Sequence, residues 1–141
     1  MRLLNIMSTA EEHWIQNVDS VGSRCGLLGY SLAGLFCLDT LMHSTPFDML
    51  LVASPSTWYA GFVNRLARQP FANDPRMIIA CGSDEGAGHP EPICGIAQDT
   101  RRAVEVLDEK LSHPVEFLLD DKGHHDGLTL RLQELLQRGY A

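Results

Sequence analysis

The chain has 141 residues, 45% of them hydrophobic and 21% charged, enough for a single domain, 1–141, with a buried core. A formal net charge of −7, with the Lys and Arg residues scattered, argues against a nucleic-acid surface. No apolar run approaches the roughly 20 residues of a membrane span, and Glu11 and Glu12 follow the first apolar patch too closely for a signal peptide.

In chain order, Leu4, Met7, Trp14, Ile15 and Val18 recur at helical spacing, which predicts an amphipathic helix over 2–18, broken by Gly22 and Ser23. "CGLLGY", 25–30, reads as a short apolar strand and "SLAGLFCLDTLMHS", 31–44, as a helix. "PFDMLLVASPS" is a near-continuous apolar strand, as expected when helices cover both faces of a sheet. A short helix, "GFVNRLARQ", and a third strand, "RMIIACG", follow. "SDEGAGHPEPICG" is loop by its Gly and Pro content. Asp99 or Thr100 can cap the next helix, whose inner face carries Ala103, Val104, Leu107 and Leu111. "VEFLL" is a fourth strand, "DDKGHHDG" a loop and "LTLRLQELLQRGY" a closing helix. Strands alternating with helices predict an α/β fold: about four parallel strands covered on both faces.

Cys25, Cys37, Cys81 and Cys94 form no CxxC pair, and three of them lie in apolar contexts. They read as free thiols acting as small hydrophobes, which implies a reducing, cytoplasmic setting and no metal site.

Chemistry concentrates at Gly29-Tyr30-Ser31-Leu32-Ala33-Gly34. A strand, a sharp turn at a serine and then a helix is the arrangement of a nucleophile elbow, although a capping serine in a tight turn would also suit. Gly29 supplies the small residue before Ser31, and Ala33 with Gly34 the small residues after it; the strict pattern G-x-S-x-G has Gly where Ala33 stands. The Leu32 N–H, at the start of the helix, is placed to stabilise an oxyanion. A serine hydroxyl needs a base and an acid. Asp84-Glu85 follows the third strand and His124-His125 the fourth, which reproduces the order Ser, acid, His at the carboxyl ends of parallel strands.

"GYSLAGLF", "FDMLLVASPSTWY", "GSDE" and "GHHD" together resemble the esterase branch of the alpha/beta hydrolases: enterochelin and other siderophore esterases, feruloyl esterases, and the esterase D and antigen 85 relatives. "SPSTW", Ser54 to Trp58, is the piece most specific to that branch. The resemblance implies Ser31 as nucleophile, Glu85 as acid with Asp84 as the alternative, and His125 as base with His124 as the alternative. The preference for His125 rests on the Gly-Gly-His-Asp form common in the branch. The resemblance also implies that Tyr30 and Trp58 contact a small-molecule carboxylic ester, and that no cofactor or metal takes part.

Members of the branch are about twice as long and place further strands before the elbow. Against them this chain reads as a truncated, C-terminal half of the alpha/beta-hydrolase fold. The elbow strand is then expected to lack a neighbour, and its open edge to self-associate or to receive a complementing polypeptide. The alternative to an esterase is a catalytically impaired remnant acting as an interaction protein.

Overall fold

The computed structural model describes residues 24–141; the helix predicted over 2–18 lies outside them. The strand predicted from the apolar run after Pro46 is β2, Met49–Ala53, and every one of its residues is buried. It lies between β1, Gly26–Tyr30, and β3, Arg76–Gly82; β4, Glu116–Asp120, is the fourth strand among the described residues. All four strands are parallel and stand in chain order, β1-β2-β3-β4.

Among the described residues four helices connect and cover the strands: α1, Leu32–Asp39; α2, Phe62–Arg68; α3, Ile96–Lys110; and α4, Leu128–Gly139. Alternating strand residues divide the core in two, as the two-residue period of a pleated strand requires. On one face Leu50, Val52, Met77 and Ile79 meet Leu35 and Leu38 of α1, Phe62 and Leu66 of α2, and Ala103 and Leu107 of α3. On the other, Met49, Leu51, Ala53, Ile78 and Ala80 meet Leu132 and Leu135 of α4. Burying side chains of this size stabilises by about 1.5–3 kcal/mol each.

Two details differ from expectation. The helix after Leu32 ends at Asp39 and tightens into a single 3-10 turn, Thr40–Met42. Helix α3 starts at Ile96, so neither Asp99 nor Thr100 caps it; Thr100 donates its hydroxyl to the Ile96 carbonyl one turn back, at 2.8 Å.

The register aligns the strand ends. Tyr30 pairs with Ala53, Ala53 with Ala80, and Gly82 with Asp120, so the carboxyl ends of the strands finish at one rim. The residues leaving that rim are Ser31, Ser54, the 83–85 turn and the loop 121–127. Among the described residues β1 pairs with β2 alone, and no helix is long and apolar enough to cross a membrane.

Candidate active site

Ser31 joins β1 to α1 with φ 56° and ψ −117°. A non-glycine residue at positive φ is strained and needs its surroundings to hold it there. Its N–H donates to the Ala53 carbonyl at 3.0 Å, and its own carbonyl accepts from the N–H groups of Leu35 and Ser56, each at 3.0 Å. The turn closes because Gly29 has no side chain: a Cβ there would strike the Ala33 carbonyl and lie 2.6 Å from Cys37 Sγ. Gly34 is tight as well, with Ala53 O and Pro55 Cα both 3.1 Å from where its Cβ would be. Ala33, which departs from the strict elbow pattern, is exposed, so its methyl group costs the turn nothing. Leu32 is the first residue of α1, so its N–H has no acceptor within the helix.

The loop after β4 brings an imidazole to this turn. His124 Nε2 stands 3.1 Å from Ser31 Oγ, and its Nδ1 stands 2.8 Å from Glu85 Oε2. His125, the preferred candidate for the base, faces another way: its Nδ1 lies 3.0 Å from the Tyr30 hydroxyl. Consecutive residues of an irregular loop project in different directions, and this loop is held by Arg131, which donates to the carbonyls of Gly123 at 2.9 Å and His124 at 3.4 Å. The step that reaches the serine is Gly123-His124.

Of the two candidate acids, Glu85 is 2% exposed and Asp84 is exposed. Glu85 uses both oxygens. Oε2 faces His124, while Oε1 accepts from Ser54 Oγ at 2.6 Å, Gly82 N at 2.8 Å and Arg131 Nη1 at 3.0 Å. Arg131, also 2% exposed, grips Asp120 with both arms of its fork, Nε to Oδ2 at 2.6 Å and Nη2 to Oδ1 at 2.7 Å. Those bonds hold the Asp120 carboxyl below its ordinary range. Burial opposes the charge on Arg131, but the bonds to Asp120 and the negative charge of Glu85 outweigh it and raise the guanidinium above its ordinary value. Gly82 makes room for this cluster, since a Cβ there would collide with the Lys122 carbonyl and Arg131.

Sequence reasoning missed Ser54, Asp120 and Arg131. One of them had left a trace: Arg131 falls between Leu128 and Leu135 on the apolar stripe of α4, where a charge needs a buried partner. It also missed Ser56, which is 4% exposed and places its hydroxyl 3.3 Å from Ser31 Oγ.

Ser31 opens on a cavity of about 490 Å³ lined by the apolar Trp58, Ile93 and Ile96 and by the polar Asp84, His89 and Asp126. Trp58 therefore shares a cavity with Ser31. Tyr30, the other expected substrate contact, does not line it; its ring stacks on the His124 imidazole with centroids 4.9 Å apart.

Solved structures that the chain is similar to share this architecture. It is similar to the enterobactin and salmochelin hydrolase IroE (24% identity, TM-score 0.68), covering 94% of this chain and 55% of that one. It is similar to the siderophore hydrolase EstB from Aspergillus nidulans (23% identity, TM-score 0.62), covering 98% of this chain and 55% of that one. The Pyrococcus furiosus esterase Pf2001 matches at 14% identity and TM-score 0.66, over 94% of this chain and 60% of that one. No protein-family model and no curated protein sequence matches the chain. The fold is that of the alpha/beta hydrolases, and the chain spans about half the length of the solved structures it matches.

Proposed function

We propose that the chain is a serine hydrolase of carboxylic esters, of the esterase branch of the alpha/beta hydrolases, with Ser31 as nucleophile, His124 as base and Glu85 as acid. The observation that supports it most is the continuous relay from Ser31 Oγ to His124 Nε2 at 3.1 Å and from His124 Nδ1 to the buried Glu85 Oε2 at 2.8 Å. Such a chain lets a neutral imidazole remove the hydroxyl proton and lets the carboxylate hold the resulting imidazolium.

In the proposed reaction Ser31 Oγ bonds to the ester carbonyl carbon while its proton passes to His124 Nε2. The carbonyl oxygen, now an oxyanion, lies toward the Leu32 N–H. The tetrahedral adduct collapses, the bond to the alcohol oxygen breaks, and Nε2–H protonates that oxygen. Water then gives a proton to Nε2 as its oxygen adds to the acyl carbon. On the second collapse Ser31 leaves, takes the proton back, and the carboxylic acid is released.

The names of the similar structures, which include siderophore hydrolases and a ferulic acid esterase, favour a lactone or an aromatic acyl ester as substrate. The test is hydrolysis of p-nitrophenyl butyrate by the folded chain, with labelling by a fluorophosphonate. Both are expected in the wild type and neither in Ser31→Ala. Hydrolysis that survives Ser31→Ala would remove the reading.

One observation favours a second reading, a scaffold that acts by binding a polypeptide. Among the described residues β1 pairs along one side only, and its Leu28 is 38% exposed. We propose that this edge takes a complementing polypeptide or a second copy. A monomer by sedimentation, with no binding of a hydrophobic dye, would remove that reading.

A further inference from the structure

The second histidine of the pair is not used by the relay, nor is the tyrosine before the nucleophile. They touch each other, and both touch His124. The Tyr30 hydroxyl donates to the His124 carbonyl at 3.2 Å and lies 3.0 Å from His125 Nδ1. The Tyr30 ring is stacked on the His124 imidazole, 29° from parallel, and the His125 ring meets His124 edge-on with centroids 4.9 Å apart. The imidazole that faces Ser31 is thus held against one ring, edged by another, and fastened through its own carbonyl.

Resting on the serine-hydrolase reading, we propose that Tyr30 is a positioning residue for His124 and that His125 is the hydrogen-bond partner that keeps the Tyr30 hydroxyl turned to the His124 carbonyl. Proton accounting supports the direction. A phenol has one proton to donate. With that proton on the His124 carbonyl, Tyr30 Oη accepts from Nδ1–H of His125. His125 then carries its proton on Nδ1 and leaves Nε2 as an acceptor. Burial, and next the charge of Glu85, push the phenol above its usual range, so it keeps the proton it donates at neutral pH. Arg131 fixes the same loop at the Gly123 and His124 carbonyls from the buried side. The loop is therefore anchored from two directions at adjacent peptides, and Tyr30 also constrains the ring that Arg131 does not touch.

The geometry matters because His124 must keep both nitrogens in line at once. A misplacement of the order of 1 Å in a reacting group can cost roughly a hundredfold in rate. Tyr30→Phe keeps the stacked ring and removes Oη. It is expected to lower kcat by about ten- to a hundredfold with KM nearly unchanged. His125→Ala should do the same more weakly, and the double variant should lose less than the product of the two single losses, because the two groups share one bond.

A second readout does not depend on turnover. The Nδ1–H of His124, bonded to Glu85, should give a far-downfield proton resonance in the full chain, absent from His124→Ala. In Tyr30→Phe that resonance should broaden or vanish while thermal unfolding stays cooperative. If Tyr30→Phe leaves both kcat and the resonance as in the wild type, or if the wild type shows no such resonance, the proposal is overturned. If the resonance responds to Tyr30→Phe but Ser31→Ala hydrolyses esters as well as the wild type, the positioning role stands and the hydrolase reading falls.

Discussion

Arg131 and Glu85 form an ion pair, Nη1 to Oε1 at 3.0 Å, with both residues only 2% exposed. The pair is one side of a larger account of charge. Arg131 also faces Asp120, so one cation meets two carboxylates. The cluster of Glu85, Asp120 and Arg131 carries one net negative charge, and an imidazolium at His124 would neutralise it. The carboxylate of that cluster which faces the imidazole is Glu85 Oε2, 2.8 Å from His124 Nδ1.

Removing that cation should be costly. Arg131→Leu leaves Glu85 buried without its ion-pair partner, and breaking a buried pair from one side typically costs about 3–5 kcal/mol. Arg131→Lys should recover little of it, because an ammonium cannot reach Glu85, Asp120 and the Gly123 carbonyl as the fork does. Urea unfolding of the three proteins measures this. Equal midpoints for the wild type and Arg131→Leu would show that the cluster contributes nothing.

The two histidines should separate in an ester-hydrolysis assay. His124→Ala removes the group that contacts both Ser31 and Glu85, and the expected loss in kcat is at least about a thousandfold. His125→Ala should cost about tenfold, through Tyr30. The reverse ranking would mean that the loop 123–126 re-orients when substrate enters.

The elbow gives a paired prediction. Gly29→Ala puts a Cβ into the Ala33 carbonyl and Cys37 Sγ, and overpacking of this kind should destabilise by about 1–3 kcal/mol or prevent folding. Ala33→Gly restores the strict motif but frees an exposed helical position, so it should cost about 0.5–1 kcal/mol and raise activity not at all. Differential scanning calorimetry beside the activity assay decides both. An Ala33→Gly protein that is faster than the wild type would show that the methyl group does obstruct the turn.

Stability should fall in alkali for a specific reason. Burial pushes the Cys37 and Cys81 thiols from 9.0 up to about 12. Above about pH 9 the unfolded chain releases two protons that the folded chain retains, so unfolding becomes more favourable as pH rises toward 12, by up to about 3 kcal/mol per pH unit for the two groups. Below pH 9 both states hold these protons and the effect vanishes. Urea midpoints across this range should therefore drop, and the Cys37→Ala/Cys81→Ala double variant should drop less. Identical slopes would refute the assignment.

Much of the fold was legible because strand and helix periods differ so clearly here. β3 coincides with "RMIIACG", and the loop rich in Gly and Pro is a loop. The elbow was legible because steric crowding at Gly29 leaves a mark on composition. The choice between His124 and His125 was not, since it depends on which way two adjacent peptides turn, and that is decided by Arg131 and Tyr30 at a distance in sequence. The contacts of Ser54 and Ser56 were hidden for the same reason: both lie in a segment that could be named by resemblance, but their partners, Glu85 and Ser31, are fixed by register alone.

The separation of Arg131 from Glu85 along the chain also sets an order of events during synthesis. β1, β2 and β3 can pair as they leave the ribosome, with Glu85 already among them. The guanidinium that neutralises Glu85 lies 46 residues further on. At about 5–20 residues per second the nascent chain waits roughly two to nine seconds for it. Until then the Glu85 carboxylate has the Ser54 hydroxyl and the Gly82 N–H as partners but no cation, and that corner of the sheet stays open. Helix α4 therefore closes the corner, and its arrival brings the Arg131 guanidinium to a sheet already partly assembled.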